Sequence, residues 1–205
     1  MRKKLLFFLT FLFISNSYAQ ELYLLTGNNF TKYEFDANGE SMATSLQSGS
    51  GSTFEIGYAI PIRNKDFLYS FAVTFNNYNA LAGNAANTYE WNTKYLGAQS
   101  ALQYNQKITS FFSLTAKAGI NLSTIIYGKQ SIDGEIFDLI NQKEFSGLFV
   151  GASGSIHTNY KINSTGFLSL GYGYSHTVNT SNSSQEKLSF KTNQILLGIH
   201  FTINP

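Results

Sequence analysis

The sequence predicts an all-β chain that folds as an antiparallel, up-and-down barrel of eight strands and crosses a membrane with those strands. Three observations predict this fold. Many segments alternate large apolar with small or polar residues, the apolar faces carry no charge, and short connections alternate with long ones. The composition agrees, because 16% of the residues are aromatic, only 13% are charged and only two are proline. Such a composition favours strands over helices.

Residues 1–19 are predicted to be a cleaved signal peptide. A basic stretch over residues 2–4 precedes an apolar run over residues 5–14, and residues 17–19 resemble the small-residue pattern before a cleavage site. The apolar run is too short for a membrane-spanning helix, which needs about 20 residues. An uncleaved anchor is the alternative. We therefore expect a barrel domain over residues 20–205 after removal of the leader.

Removal of the leader changes the charge of the chain. Arg2, Lys3 and Lys4 leave with it. The remaining chain has 11 basic and 12 acidic residues, and its net charge changes from +2 to about −1. The basic isoelectric point is thus largely a property of the leader and indicates no nucleic-acid partner. Because the sequence has no cysteine, it has no disulfide framework, thiolate metal site or cysteine nucleophile.

The alternation assigns an outward face to seven of the eight predicted strands. A membrane barrel turns apolar residues toward lipid and small or polar residues toward its lumen. A soluble sandwich usually carries charges on its outer face, so the uncharged apolar faces favour the membrane barrel. The predicted outward residues are Phe54, Ile56, Tyr58, Ile60 and Ile62; Phe67, Tyr69, Phe71, Val73 and Phe75; Leu96, Ala98, Leu102 and Tyr104; Phe112, Leu114, Ala116, Ala118, Ile120 and Leu122; Leu148, Val150, Ala152, Gly154 and Ile156; Leu168, Leu170, Tyr172 and Tyr174; and Ile195, Leu197, Ile199, Phe201 and Ile203.

The remaining segment, residues 22–35, does not divide into two faces. Leu22 and Leu24 fall on one side, while Tyr23 and Leu25 fall on the other. A bulge near residues 27–29 would let this strand switch faces, because a bulge adds one unpaired residue.

The connections fall into two alternating classes, which predicts short periplasmic turns and long extracellular loops. The short turns lie near residues 63–66, 108–110 and 163–166, and the long loops cover residues 36–52, 79–93, 128–144 and 178–189. Aromatic residues near the strand ends predict a girdle at each edge of the apolar belt. These are Phe67, Phe111, Phe112, Tyr160, Phe167 and Phe201 at the periplasmic edge, and Tyr33, Phe35, Phe54, Tyr89, Trp91, Tyr95 and Tyr127 at the outer edge.

With its leader, its eight segments and its terminal strand over residues 194–203, the sequence resembles the small eight-stranded outer-membrane barrels of Gram-negative bacteria, the porin-like barrel domains. The resemblance covers residues 20–205. It implies a place in the outer membrane, contact with lipid and lipopolysaccharide, insertion by the barrel-insertion machinery, and a possible envelope protein partner. Family members commonly end on an aromatic residue, whereas Phe201 is followed here by four further residues.

An eight-stranded barrel has a lumen about filled by side chains, which argues against a wide porin. Glu55, Lys117, Lys32, Glu34 and Lys161 are predicted to form an ion-pair network inside it, since lumen charges need partners. The alternative for these residues is a narrow or gated ion path.

Ser155 and His157 share a predicted lumen face, and His200 could approach them from two strands away. A hydroxyl beside an imidazole is the minimum for nucleophilic hydrolysis, as in barrels that modify lipid A. The pair faces away from lipid, however, and has no evident acidic partner. We therefore predict no enzyme, no catalytic, cofactor-binding or metal-binding residues, and no cofactor.

The third long loop carries an apolar cluster among acidic residues, formed by Ile132, Ile136, Phe137, Leu139 and Ile140. Packing over the barrel mouth is favoured, and a partner-binding surface is the alternative, since exposed apolar patches often bind partners. The favoured function is a structural or assembly-subunit role in the envelope. Surface adhesion or ligand binding through the loops, a lipid-modifying enzyme and a narrow channel remain alternatives.

Overall fold

The computed structural model describes residues 20–37, 40–41, 46–62, 66–83, 88–180 and 186–203. These residues form the strands β1 (Glu21–Ala37), β2 (Glu40–Ser41), β3 (Leu46–Pro61), β4 (Phe67–Gly83), β5 (Thr88–Lys107), β6 (Phe112–Ile132), β7 (Glu135–Asp138), β8 (Phe149–Lys161), β9 (Gly166–Asn179) and β10 (Glu186–Thr202). The predicted signal peptide lies outside the described residues and stays a prediction. No helix within the described ranges is long and apolar enough to span a membrane, which does not bear on spanning by strands.

One antiparallel sheet closes on itself and forms the barrel. The wall follows the order β1-β3-β4-β5-β6-β8-β9-β10, and β10 pairs back with β1. This seam is unbroken from Glu21 opposite Thr202 to Ala37 opposite Glu186. The short strand β2 pairs with β1, and the short strand β7 pairs with β6. Neither is one of the eight strands of the closed ring. The predicted up-and-down barrel of eight strands is confirmed.

The exposed and buried faces confirm the outward residues that the sequence predicts for seven strands. Ile120 and Leu197 are 59% and 58% exposed, whereas the inward Lys117 is 8% exposed. On β3 and β10 every second side chain over residues 54–62 and 195–203 is apolar and exposed. At about 3.3 Å per residue and a tilt of about 40°, nine residues rise about 20–25 Å. This is the height of the apolar belt of a membrane barrel.

The first strand keeps one phase from residue 21 to residue 35, so the bulge expected near residues 27–29 is wrong. The pairing of β1 with β10 has no register shift. Odd-numbered side chains face the lumen, among them Tyr23, Leu25 and Tyr33, each at most 2% exposed. The sequence gives no clear phase because these inward residues are as apolar as the outward Leu22.

Strands occupy much of the chain that the sequence assigns to long loops. β4 and β5 pair from their barrel ends up to Gly83 opposite Thr88, inside the loop predicted over residues 79–93. β6 likewise continues to Ile132 and forms a hairpin with β7. Extended hairpins therefore rise from the barrel at the end opposite the three short turns. We call these two ends the loop end and the turn end.

The aromatic girdle is confirmed at the turn end only in part and is largely wrong at the loop end. Outward rings pair across strands at the turn end, with centroids 4.9 Å apart for Phe67 and Tyr104. Phe167, however, lines the lumen. At the loop end Tyr33 and Tyr95 are fully buried inside the barrel. Residues that follow the inward phase of a strand cannot reach the lipid headgroups.

The apolar belt predicts that the cost of a charge on the outer wall depends on depth. Ile120→Arg at mid-belt should lower the free energy of unfolding by about 2–4 kcal/mol, and Ile203→Arg at the belt edge by about 0–1 kcal/mol. Urea unfolding of the barrel in lipid vesicles measures both values. Equal losses for the two variants would contradict a membrane-spanning belt.

Candidate functional site in the barrel lumen

The lumen is the candidate functional site because it gathers the buried polar and charged side chains of the wall. It contains three layers. An aromatic layer fills the loop end, an ion pair lies in the middle, and a cavity opens at the turn end. Each layer is built from the inward positions of neighbouring strands, so the alternation of the strands sets what each layer contains.

The aromatic layer is centred on Phe190, which is 1% exposed. Its ring lies 4.8 Å from Tyr33, 4.9 Å from Tyr78 and 5.2 Å from Phe149, measured between ring centroids. Rings at these distances and mutual angles attract each other beyond the area that they bury. We call this cluster the aromatic plug, and it consists of Tyr33, Tyr78, Ala80, Trp91, Tyr95, Ile125, Leu139, Phe145, Phe149, Leu188 and Phe190.

The segment between β7 and β8 completes the aromatic plug from above. Leu139 and Phe145 insert into it and are 2% and 5% exposed. The Tyr95 hydroxyl donates a hydrogen bond to the Phe145 carbonyl at 3.3 Å. The Asn179 amide donates to the carbonyl of Glu144 at 2.8 Å. The chain thus folds back over the barrel mouth and is held there by both packing and hydrogen bonds.

The apolar cluster predicted for the third loop divides between the two roles that the sequence left open. Leu139 packs over the mouth. Ile136 and Phe137 lie on the projecting β7 and are 67% and 44% exposed, and Ile140 is 37% exposed. Mouth packing is therefore confirmed for Leu139 but not for these three residues.

The middle layer holds the predicted ion pair of Lys117 and Glu55. The Lys117 ammonium contacts the Glu55 carboxylate directly, and the Tyr23 hydroxyl donates to the same carboxylate at 2.7 Å. The ammonium also lies 5.2 Å from the centroid of the Tyr23 ring. The carboxylate, the ammonium and the phenol therefore satisfy one another across the bore, as a buried charge requires.

Two other charges predicted for the lumen lie elsewhere. Lys32 and Glu34 occupy even-numbered, outward positions of β1, and Glu34 pairs with Lys191 of β10 at 2.9 Å. They stand beyond the last apolar residue of the belt, where an outward charge stays in water. Lys161 does keep the inward phase of β8, but it lies at the turn end, away from the central pair.

Ser155 and His157 meet as the sequence predicts. The Nε2 atom of His157 lies 2.9 Å from the Ser155 hydroxyl, and the ring is 3% exposed inside the lumen. His200 contacts a different pair. Its Nδ1 atom lies 2.5 Å from the Glu21 carboxylate and its Nε2 atom lies 3.1 Å from the Ser169 hydroxyl.

Glu21, His200 and Ser169 have the order of an acid, a base and a nucleophile. The Ser169 side chain is buried, however, at 5% exposed. A methyl group added at Gly198 would lie 2.3 Å from it and 2.4 Å from a methyl carbon of Leu25. The three groups thus form a hydrogen-bonded polar network inside the lumen. Sequence reasoning missed it because Glu21 and His200 belong to the first and last strands, which only barrel closure brings together.

A cavity of about 130 Å³ occupies the turn end of the lumen, and we call it the vestibule. Residues of all the wall strands line it: Glu21, Pro61, Leu68, Gln103, Asn105, Ser113, Thr115, Asn159, Phe167, His200 and Thr202. Among the described residues, no group of three or more His, Cys, Asp or Glu side chains is placed to hold a metal ion.

Comparison with known proteins identifies the architecture. No protein-family model matches the chain, and no curated protein matches it. The solved structure of the outer membrane protein OprG from Pseudomonas aeruginosa superposes with a TM-score of 0.56 at 12% identity, covering 91% of this chain and 97% of that one. The chain has the outer-membrane β-barrel fold. Neisserial surface protein A, NspA, also matches, with a TM-score of 0.49, 16% identity, and coverage of 89% and 97%.

The barrel fold and the apolar belt together place the chain in the outer membrane, surrounded by lipid. The exposed side chains of the belt, such as Leu197, find apolar surroundings in lipid. The lumen then lies between the outside and the periplasm, with the three layers along it.

The central ion pair predicts an asymmetric cost of substitution. Lys117→Met leaves the Glu55 carboxylate buried without its cation and should lower the free energy of unfolding by about 3–5 kcal/mol. The double variant Lys117→Met/Glu55→Met should recover most of this loss, since it leaves no buried charge. Urea unfolding in lipid vesicles compares the variants. A double variant no more stable than the single one would contradict the pairing.

Proposed function

We propose that the chain is a non-conducting outer-membrane barrel with a structural or assembly-subunit role in the envelope. The aromatic plug is the observation that carries this proposal. Phe149 and Phe190 are at most 1% exposed at the centre of the aromatic plug, which leaves little room for water beside their rings. A channel needs a polar, hydrated path through the barrel, and a plug of closely packed aromatic rings opposes it.

The proposal includes the absence of enzymatic activity. Among the described residues, Ser155 and Ser169 are the hydroxyls that contact an imidazole, and both lie on the lumen side of the barrel wall. A lipid substrate reaches the outer face of the wall, where neither hydroxyl points. The barrel-insertion machinery is the further proposed partner, with Phe201 near the end of the terminal strand as the aromatic residue available to it.

Conductance across planar bilayers tests the sealed lumen. The unchanged barrel should give no open-channel steps, whereas Phe190→Ala/Phe149→Ala should remove the centre of the aromatic plug and produce them. Phe71→Ala on the lipid face removes a ring of the same size without touching the lumen and serves as the control. Steady conductance of the unchanged barrel would overturn the proposal.

Surface binding through the outer hairpin is a second candidate. It is favoured by the exposure of Ile136 and Phe137 on β7, beside the acidic Glu135 and Asp138. Isolated exposed apolar side chains are ordinary, but Ile136 and Phe137 are consecutive in a strand and therefore give each face of the projecting hairpin an exposed apolar side chain, which a partner can contact.

Recovery of envelope partners distinguishes the two candidates. Affinity purification from detergent-solubilised membranes should recover a stable partner if the barrel is an assembly subunit. Ile136→Ser/Phe137→Ser leaves the aromatic plug intact. Recovery that survives this change favours contact through the wall, and recovery lost with it favours the hairpin. Absence of any partner in both preparations would contradict the assembly role.

A further inference from the structure

A β-bulge in β6 turns two side chains out of the barrel wall near the loop end. The register of β6 with β5 shifts by one residue next to the pair of Tyr127 with Lys94, and Ile126 has no partner on β5. Before the bulge the even-numbered residues of β6 face outward, whereas beyond it Tyr127 and Lys129 do. An unbroken register would turn both side chains into the lumen, because successive residues of a strand alternate. Bulges often re-aim side chains in this way.

The bulge gathers two ammonium groups beside one aromatic ring on the outer wall. Lys94 stands directly opposite Tyr127, and Lys129 follows Tyr127 at the next position of the same face. The ammonium groups of Lys94 and Lys129 lie 5.0 Å and 5.7 Å from the centroid of the Tyr127 ring. Like charges held beside one ring repel each other, so the arrangement favours an anion that contacts both. We call these three residues the outer lysine site.

No carboxylate forms an ion pair with either lysine in the described part of the chain, where the ion pairs use other cations. Asp138 stands opposite Lys129 in the pairing of β6 with β7, but its carboxylate accepts a hydrogen bond from the backbone N–H of Ile140 at 2.9 Å. Glu90 lies four residues beyond Lys94 along β5. The positive charge of the outer lysine site is thus available to a ligand.

The outer lysine site lies at the level of the lipid headgroups. Leu96 precedes Lys94 on the outward face of β5 as seen from the belt, and Ile126 precedes Tyr127 on β6; both apolar side chains are 44% exposed. The apolar belt therefore ends directly beneath the two lysines. The long loops of an outer-membrane barrel face outside, so this level belongs to the outer leaflet. Lysines at such a level attract anionic headgroups, and tyrosine is at home there.

We propose that the outer lysine site binds one phosphate group of a phosphorylated glycolipid in the outer leaflet. The ammonium groups of Lys94 and Lys129 donate charge-assisted hydrogen bonds to the phosphate oxygens, and the acyl chains of the lipid lie along Leu96 and Ile126. An uncharged lipid would leave both ammonium groups unpaired, and a free phosphate would not contact the apolar side chains beneath them. This site is on the outer wall and depends on neither the sealed lumen nor a protein partner.

Native mass spectrometry of the whole barrel released from detergent micelles tests the proposal, with lipid A that carries two phosphates as the probe. The barrel should retain one molecule of this lipid. Dephosphorylated lipid A should be retained at least about tenfold less, since each lysine beside anionic headgroups contributes roughly fivefold to binding. Inorganic phosphate in excess should not displace the lipid. The proposal fails if both lipids are retained equally or if inorganic phosphate displaces lipid A.

Substitutions locate the site on the barrel. Lys94→Gln/Lys129→Gln should lower the retention of lipid A by at least about tenfold, whereas Lys94→Arg/Lys129→Arg keeps both charges and should retain it. Lys107→Gln/Lys161→Gln makes the same change of charge at the turn end and is the matched control. An equal loss in this control, or no loss in the first variant, would contradict a site at these lysines. Heat-dependent gel mobility checks that each variant is folded, and the two lipids decide the matter on the unchanged barrel alone.

Discussion

Every backbone polar group in the hydrocarbon region must find its partner within the chain, because no water is there to replace it. The seam between β1 and β10 meets this requirement, since it joins the two strands that would otherwise be open edges. Closure then determines the rest of the structure. With all strands in one ring, alternate side chains have to face either lipid or a narrow bore, and every large residue in the bore needs space from a neighbour.

That space comes from glycine at the points of closest approach. A methyl group at Gly57 would lie 2.3 Å from the Tyr23 ring, and one at Gly171 would lie 2.3 Å from the His157 ring. The rings of Tyr23 and His157 therefore fit in the lumen only because the neighbouring strand has a glycine, and so no side chain, at each of these points. The narrow bore also brings charges together, and Lys117, Glu55 and Tyr23 satisfy one another by direct contact across it.

The sequence predicted the strand faces well wherever the two faces differ in chemistry, as around Ile120 and Leu197. It failed at β1 because Tyr23 and Leu25 are apolar residues of the lumen, and alternation cannot separate two apolar faces. Glu34 was predicted to lie in the lumen only because the residue is charged. This was wrong because a charged residue beyond the apolar belt is stable on the outside, where Lys191 pairs with Glu34. The contact of Glu21 with His200 could be predicted only from the seam, which places the first strand beside the last.

The seam also sets the order of events in folding. Its partners, Glu21 and Thr202, stand almost the whole described chain apart, so the ring cannot close until the last strand is present. Contacts between residues so distant in sequence carry a large loop-closure entropy and slow the search for the native state. During that search the apolar side chains of the belt have neither lipid nor a closed wall around them. A chain built this way depends on being kept from aggregation until its final strand arrives.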